Sequence, residues 1–154
     1  MSSAPGWTTI GSVVGLYSAV RVVQPTDTKI YTYSIGGGLN HGWMVLVVAG
    51  TLGYTNAVLT AFTGPPAFTV CTLPPISIQK NSTVLIYYTT TGAVSATART
   101  LTPSDFVIAI NNGHTQQAIY KQYFEPQSEG FTLTFTGGDS ANVRITRVEI
   151  LGAT

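Results

Sequence analysis

A chain of 154 residues has the length of one domain, with room for a short arm. Seven Lys and Arg stand against six Asp and Glu, so the net charge is +1, and charged residues make up 8% of the chain, against about 25% in an ordinary soluble domain. With 44% apolar residues, this composition excludes a disordered chain, and the absence of sustained heptads excludes a coiled coil.

Thr, Val and Ile together supply 50 residues, and β-branched side chains favour pleated sheet over helix. Residues 1–12 read as a flexible arm. They lack the basic start and apolar stretch of a signal peptide, and Trp7, after Pro5-Gly6, has the form of an anchor into a neighbouring molecule. Residues 13–154 read as a single β-domain. Strands are predicted at Val13–Val23, Ile30–Ser34, Trp43–Ala49, Ala57–Phe62, Phe68–Thr72, Ile76–Gln79, Thr83–Thr90, Ala96–Leu101, Phe106–Ile110, Ala118–Phe124, Phe131–Thr136 and Asn142–Leu151. Gln24–Asp27, Gly36–Gly38, Gly64–Pro66, Pro74-Pro75, Thr102–Asp105, Asn111–Gly113 and Glu125-Pro126 supply the breaks between them. The stretch Thr115–Tyr123 is also compatible with a short helix.

Period-two alternation is clearest at Phe131–Thr136, where Phe131, Leu133 and Phe135 are expected inward and Thr132, Thr134 and Thr136 outward. In the last strand, Val143 and Ile145 share one parity and Val148 and Ile150 the other. That switch predicts a bulge near Thr146-Arg147, or a strand covered on both faces. Thr83–Tyr88 and Phe106–Ile110 are bulky on both parities, so both faces need a cover: a loop, the N-terminal arm or a neighbouring subunit. So few charges leave a lone subunit poorly solvated, and the chain is expected to be a homo-oligomer. The most apolar run, Trp43–Ala49, spans seven residues, whereas a membrane-spanning helix needs about 20. The expectation is synthesis in the cytoplasm and no membrane span.

Candidate chemistry is sparse. Arg21, Lys29, Lys80, Arg99, Lys121, Arg144 and Arg147 form no basic stripe, so no nucleic-acid partner is expected. Cys71 is alone, which leaves no intrachain disulfide and no cysteine zinc site. His41 and His114 lie in Gly- and Asn-rich turns without metal-ligand or acid–base spacing, and read as turn residues. Among the carboxylates only Glu125 and Glu129 are close in sequence, and they read as a solvated loop rather than a glycosidase pair. There is no Gly-x-Ser-x-Gly elbow, and Gly36–Gly38 lacks the lysine of a phosphate loop. Asp27, Asp139 and Glu149 are candidate Ca²⁺ oxygens without a ligand-spaced run. No catalytic residue, metal or cofactor is therefore expected. The aromatic residues offer more. Tyr31 and Tyr33 share a parity, and with Trp43 they are the candidate platform for stacking a sugar ring.

The stretch Gly130–Ile145, followed by the Val148–Leu151 run, resembles the closing hairpin of galactose-binding-like and carbohydrate-binding-module jelly rolls. The Thr- and Gly-rich, weakly charged composition resembles bacteriophage virion proteins, whose small decoration and fibre-tip domains often use that fold. The resemblance covers about a tenth of the chain. It departs from secreted glycanases in lacking a signal peptide and a catalytic neighbour domain. It implies an all-β antiparallel sandwich of jelly-roll type, and a non-enzymatic protein of the virion surface, made in the host cytoplasm. Such a protein would decorate a capsid or form a fibre, self-associate as a trimer and dock on capsid or tail proteins. The alternative is a carbohydrate-binding module or lectin for a surface glycan.

Overall fold

The computed structural model describes residues 6–13, 16–22, 51–62, 70–90, 98–112, 116–136 and 143–152. These residues form ten strands and no helix: β1 Thr8–Val13, β2 Leu16–Val20, β3 Thr51–Phe62, β4 Val70–Ile78, β5 Ser82–Thr90, β6 Ala98–Thr102, β7 Val107–Asn112, β8 Gln116–Tyr123, β9 Gln127–Thr136 and β10 Val143–Gly152. Antiparallel pairing builds a two-stranded sheet β1-β2, a five-stranded sheet β3-β10-β5-β8-β7 and a three-stranded sheet β4-β9-β6. None of them closes on itself. The strands predicted at Ile30–Ser34 and Trp43–Ala49 lie outside the described residues.

Alternating residues of the two larger sheets meet in one buried cluster. Val84, Ile86 and Tyr88 of β5, Ile119 of β8, and Val143 and Ile145 of β10 face Cys71 and Leu73 of β4 and the stripe Phe131, Leu133, Phe135 of β9. That stripe is buried as its alternation requires, while Thr132 and Thr134 are half-buried. The centre is tightly filled: the space among Cys71, Leu73, Ile86, Tyr88, Leu101, Phe131, Leu133 and Ile145 has no room for a water molecule.

One local expectation changes in the fold, and two alternatives left open by the sequence are decided. Prolines 74 and 75 do not separate two strands. They sit inside β4 at a register shift between Leu73 and Ile76. The edge position of β4 allows this, because a proline lacking its N–H costs no ladder bond on the open side. Of the two states open to Thr115–Tyr123, the strand expected at Ala118–Phe124 forms, as β8. The bulge expected in β10 lies on its neighbour. β10 runs in continuous register with β5 from Val143 to Leu151, whereas its register with β3 shifts between Arg147 and Glu149. There Asn56 and Ala57 stand opposite Val148, and Asn56 has φ 49°, a left-handed conformation that Asn tolerates better than most residues. The parity switch in β10 has the second of its two expected origins: Val143–Glu149 are buried on both faces.

The second cover comes from the N-terminal segment. Residues 8–12, expected as part of a mobile arm, form β1 and pair with β2. This hairpin lies on the outer face of the five-stranded sheet. Ser18 Oγ hydrogen-bonds Thr146 Oγ1 at 2.6 Å, and a Cβ on Gly11 would come within 2.8 Å of the Leu59 Cβ. Glycine at position 11 is what allows β1 to approach β3 so closely.

Candidate functional site

Two groups of charged side chains join the larger sheets. The first is centred on Glu149 of β10, which is fully buried. Its carboxylate accepts hydrogen bonds from Asn56 Nδ2 at 2.6 Å and from the backbone N–H of Gln79 at 2.6 Å. Asn56 Nδ2 also donates to the Ser77 carbonyl at 3.0 Å. The left-handed turn of β3 therefore delivers a donor to a carboxylate that would otherwise be stranded. Two residues away, Arg147 Nη1 donates to the Pro74 carbonyl at 2.8 Å, and its guanidinium lies 5.7 Å from the centre of the Phe131 ring. Burial lowers the Arg147 pKa.

The second group lies at the end of the core where β8, β9 and the β6–β7 connection meet. Lys121 Nζ is 3.0 Å from Asp105 Oδ2 and 3.2 Å from each oxygen of Glu129. Tyr123 Oη donates to Glu129 Oε2. The ammonium also lies 4.9 Å from the centre of the Tyr123 ring and 6.0 Å from that of Phe106. Phe106 in turn meets Phe131 edge-on at 5.4 Å. The side chains of Lys121 and Glu129 are 15% and 21% exposed, and that of Asp105 is 61% exposed. Burial alone would lower the Lys121 pKa, but its hydrogen bonds to Asp105 and Glu129 and their charges raise it further, so the net shift is upward. Burial, followed by the bond to Glu129, holds the Tyr123 phenol protonated well above the usual range.

The expected pairing of Glu125 with Glu129 in a solvated loop is thus corrected. Glu125 is exposed and pairs with Lys80 at 3.7 Å, whereas Glu129 belongs to β9 and points inward to Lys121. Sequence reading missed Lys121, Tyr123 and Asp105 as a group. The available signal was the shared parity of Lys121 and Tyr123 on one strand, but their acidic partners are set by the packing of the two sheets.

Of the residues singled out for function, Tyr31, Tyr33, Trp43, His41, His114, Asp27 and Asp139 lie outside the described residues. Trp7 is half-buried directly before β1. Among the described residues no three His, Cys, Asp or Glu side chains converge as a metal site requires, and the Glu149 oxygens are taken by Asn56 and Gln79.

Cys71 and Tyr123 are both acids kept neutral by burial, Cys71 being pushed up from 9.0 to about 11. A raised acid pKa stabilises the fold fully below the unfolded value, and that stability is lost as pH rises through the folded value. Guanidinium unfolding midpoints should therefore hold steady from neutral pH to about 9 and fall toward pH 11. Cys71→Ala should flatten the first part of that fall, and a midpoint that stays constant to pH 11 would contradict the assignment.

Beside the Lys121 group, the edge strand β7 presents Val107 and Ile108 at 51% and 56% exposure, and Phe124 projects from the β8–β9 turn. No protein family, curated protein or solved structure matches this chain.

Proposed function

We propose that this is a non-enzymatic structural protein of the virion surface, a capsid decoration or fibre protein. It self-associates, with a trimer favoured, and docks on capsid or tail proteins through apolar β-structure. The observation that carries this reading is the β7 edge. Val107 and Ile108, on opposite faces of an outermost strand, are both more than half exposed. An apolar strand edge of this kind is a template for pairing with another chain, and the low charge of the molecule gives little repulsion against it.

The fold belongs to the same proposal, as a sandwich of jelly-roll type. Its support is the strand order. Counted from β3, the first, eighth, third and sixth strands of the series neighbour one another as β3-β10-β5-β8, and the second, seventh and fourth as β4-β9-β6. Two interlocked Greek keys would place seven of the eight strands in this order, and that architecture is common in viral capsid and lectin domains. The departure is β7, which extends the five-stranded sheet beyond β8 instead of joining β6.

Native mass spectrometry and light scattering of the purified chain at micromolar concentration test the reading. The expected result is a defined oligomer. Replacing Val107 and Ile108 together by Lys should shift it to monomer with the β-type circular dichroism unchanged. A monodisperse monomer from the unmodified chain would overturn self-association.

A further inference from the structure

The Lys121 group has more in it than a surface ion pair needs. One amine touches two carboxylates supplied by different elements, Asp105 by the β6–β7 connection and Glu129 by β9. The rings of Phe106 and Tyr123 form the walls. The two carboxylates are also unequal. Glu129 is largely buried, fixed in a strand and hydrogen-bonded by the Tyr123 hydroxyl, while Asp105 reaches in from a connection and keeps one side open to water.

We propose that Lys121 and Asp105 condense to an intramolecular amide, Lys121 Nζ to Asp105 Cγ, with Glu129 as the proton carrier. The ammonium first passes a proton to the Asp105 carboxylate, giving a neutral amine and a neutral acid. The amine lone pair attacks Asp105 Cγ. The N–C bond forms and the carbonyl π pair moves onto oxygen. Glu129 takes a proton from the nitrogen and returns it to an Asp105 hydroxyl. The carbonyl re-forms, the C–O bond breaks with its electron pair, and water leaves through the open side. In sum, one ammonium and one carboxylate become one amide and one water, with no oxidant and no cofactor.

Proximity is the driving term. Well-oriented groups held together react as though present at up to about 10⁵–10⁸ M, which speeds condensation. Burial of Lys121 beside aromatic rings works against its ammonium form, though its two carboxylate partners outweigh that effect. The upward shift of Lys121 makes the ion pair the resting form, so the amide should accumulate slowly after folding. The bond from Tyr123 holds Glu129 in place. The product ties β8 covalently to the β6–β7 connection at the end of the core.

The test is mass spectrometry of the full-length chain after prolonged incubation and tryptic digestion. The expected product is a single peptide, Thr100–Arg144, uncleaved at Lys121 and lighter by one water, with fragmentation placing the link on Asp105. Glu129→Gln, which keeps both reacting groups, should lose the linked species at least tenfold. Asp105→Ala, a change on the exposed side, should abolish it. Separate peptides Thr100–Lys121 and Gln122–Arg144 at full mass from the unmodified chain would reduce the site to a salt bridge and overturn the proposal. A link placed on Glu129, or undiminished linkage in Glu129→Gln, would overturn the assigned roles. Should Glu129→Gln fail to fold, the unmodified and Asp105→Ala chains still decide.

Discussion

Phe131→Ala is expected to destabilise the fold by about 3–5 kcal/mol, the range for emptying an aromatic site in a core that cannot collapse around it. Phe131 is buried on β9, and its ring meets side chains from outside its own sheet. Phe106 meets its ring edge-on at 5.4 Å and the Arg147 guanidinium lies 5.7 Å from its centre. Truncation would leave a cavity and would also remove the surface over which a buried cation is spread. Against a typical total stability of about 5–15 kcal/mol, such a loss brings the variant near unfolding at room temperature. Chemical denaturation should show the midpoint falling with little change in slope. A loss under about 1 kcal/mol, the usual size for a surface position, would mean that the β9 stripe faces solvent.

Glu149→Gln should cost about 2–4 kcal/mol although it preserves volume, because hydrogen bonds to a buried charged group are among the strongest a fold makes. Both partners of the carboxylate are donors: Asn56 Nδ2 and the Gln79 N–H. A carboxylate accepts from both. A glutamine amide must turn its own donor toward one of them and leave a buried N–H facing another N–H. Glu149→Ala removes the clash but strands both donors and opens a cavity, so it should be at least as severe. Asn56→Ala should cost about as much as Glu149→Gln, since it loses one donor to the carboxylate and places Ala in a left-handed conformation that costs roughly 1–2 kcal/mol. Equilibrium unfolding of the three variants checks the order. An unchanged Glu149→Gln would show that the carboxylate is reached by water.

The contrast between these two positions shows where the sequence is informative. Phe131 is legible because a half-buried strand repeats every two residues, and Phe131-Thr132-Leu133-Thr134-Phe135-Thr136 has that period without interruption. Most strand positions follow from the same period and from Gly and Pro breaks. Glu149 carries no such mark. Its sequence neighbours, Val148 and Ile150, would suit an ordinary strand with one exposed charge. Only the pairing of β10 between β3 and β5, and the cover of β4 above it, shows that the carboxylate is buried. The Lys121 group is similar. Asp105, Lys121 and Glu129 are spread over 25 consecutive residues, and each alone reads as a solvated charge.

The all-β class, the inward stripe of β9, the weak charge and the approximate limits of most described strands are legible in the residues alone. These are local properties, set by side-chain branching, alternation and turn chemistry. Packing set what depends on which strand lies beside which: that β4 passes through Pro74 and Pro75 unbroken at a sheet edge, that the bulge belongs to β3 and not β10, and that residues 8–12 cover a sheet as a strand. It also decided that a lysine, two carboxylates and a tyrosine meet beside the core. Sheet pairing joins residues far apart in the chain, and period two is the same for every strand, so alternation says which face is buried but not which neighbour buries it.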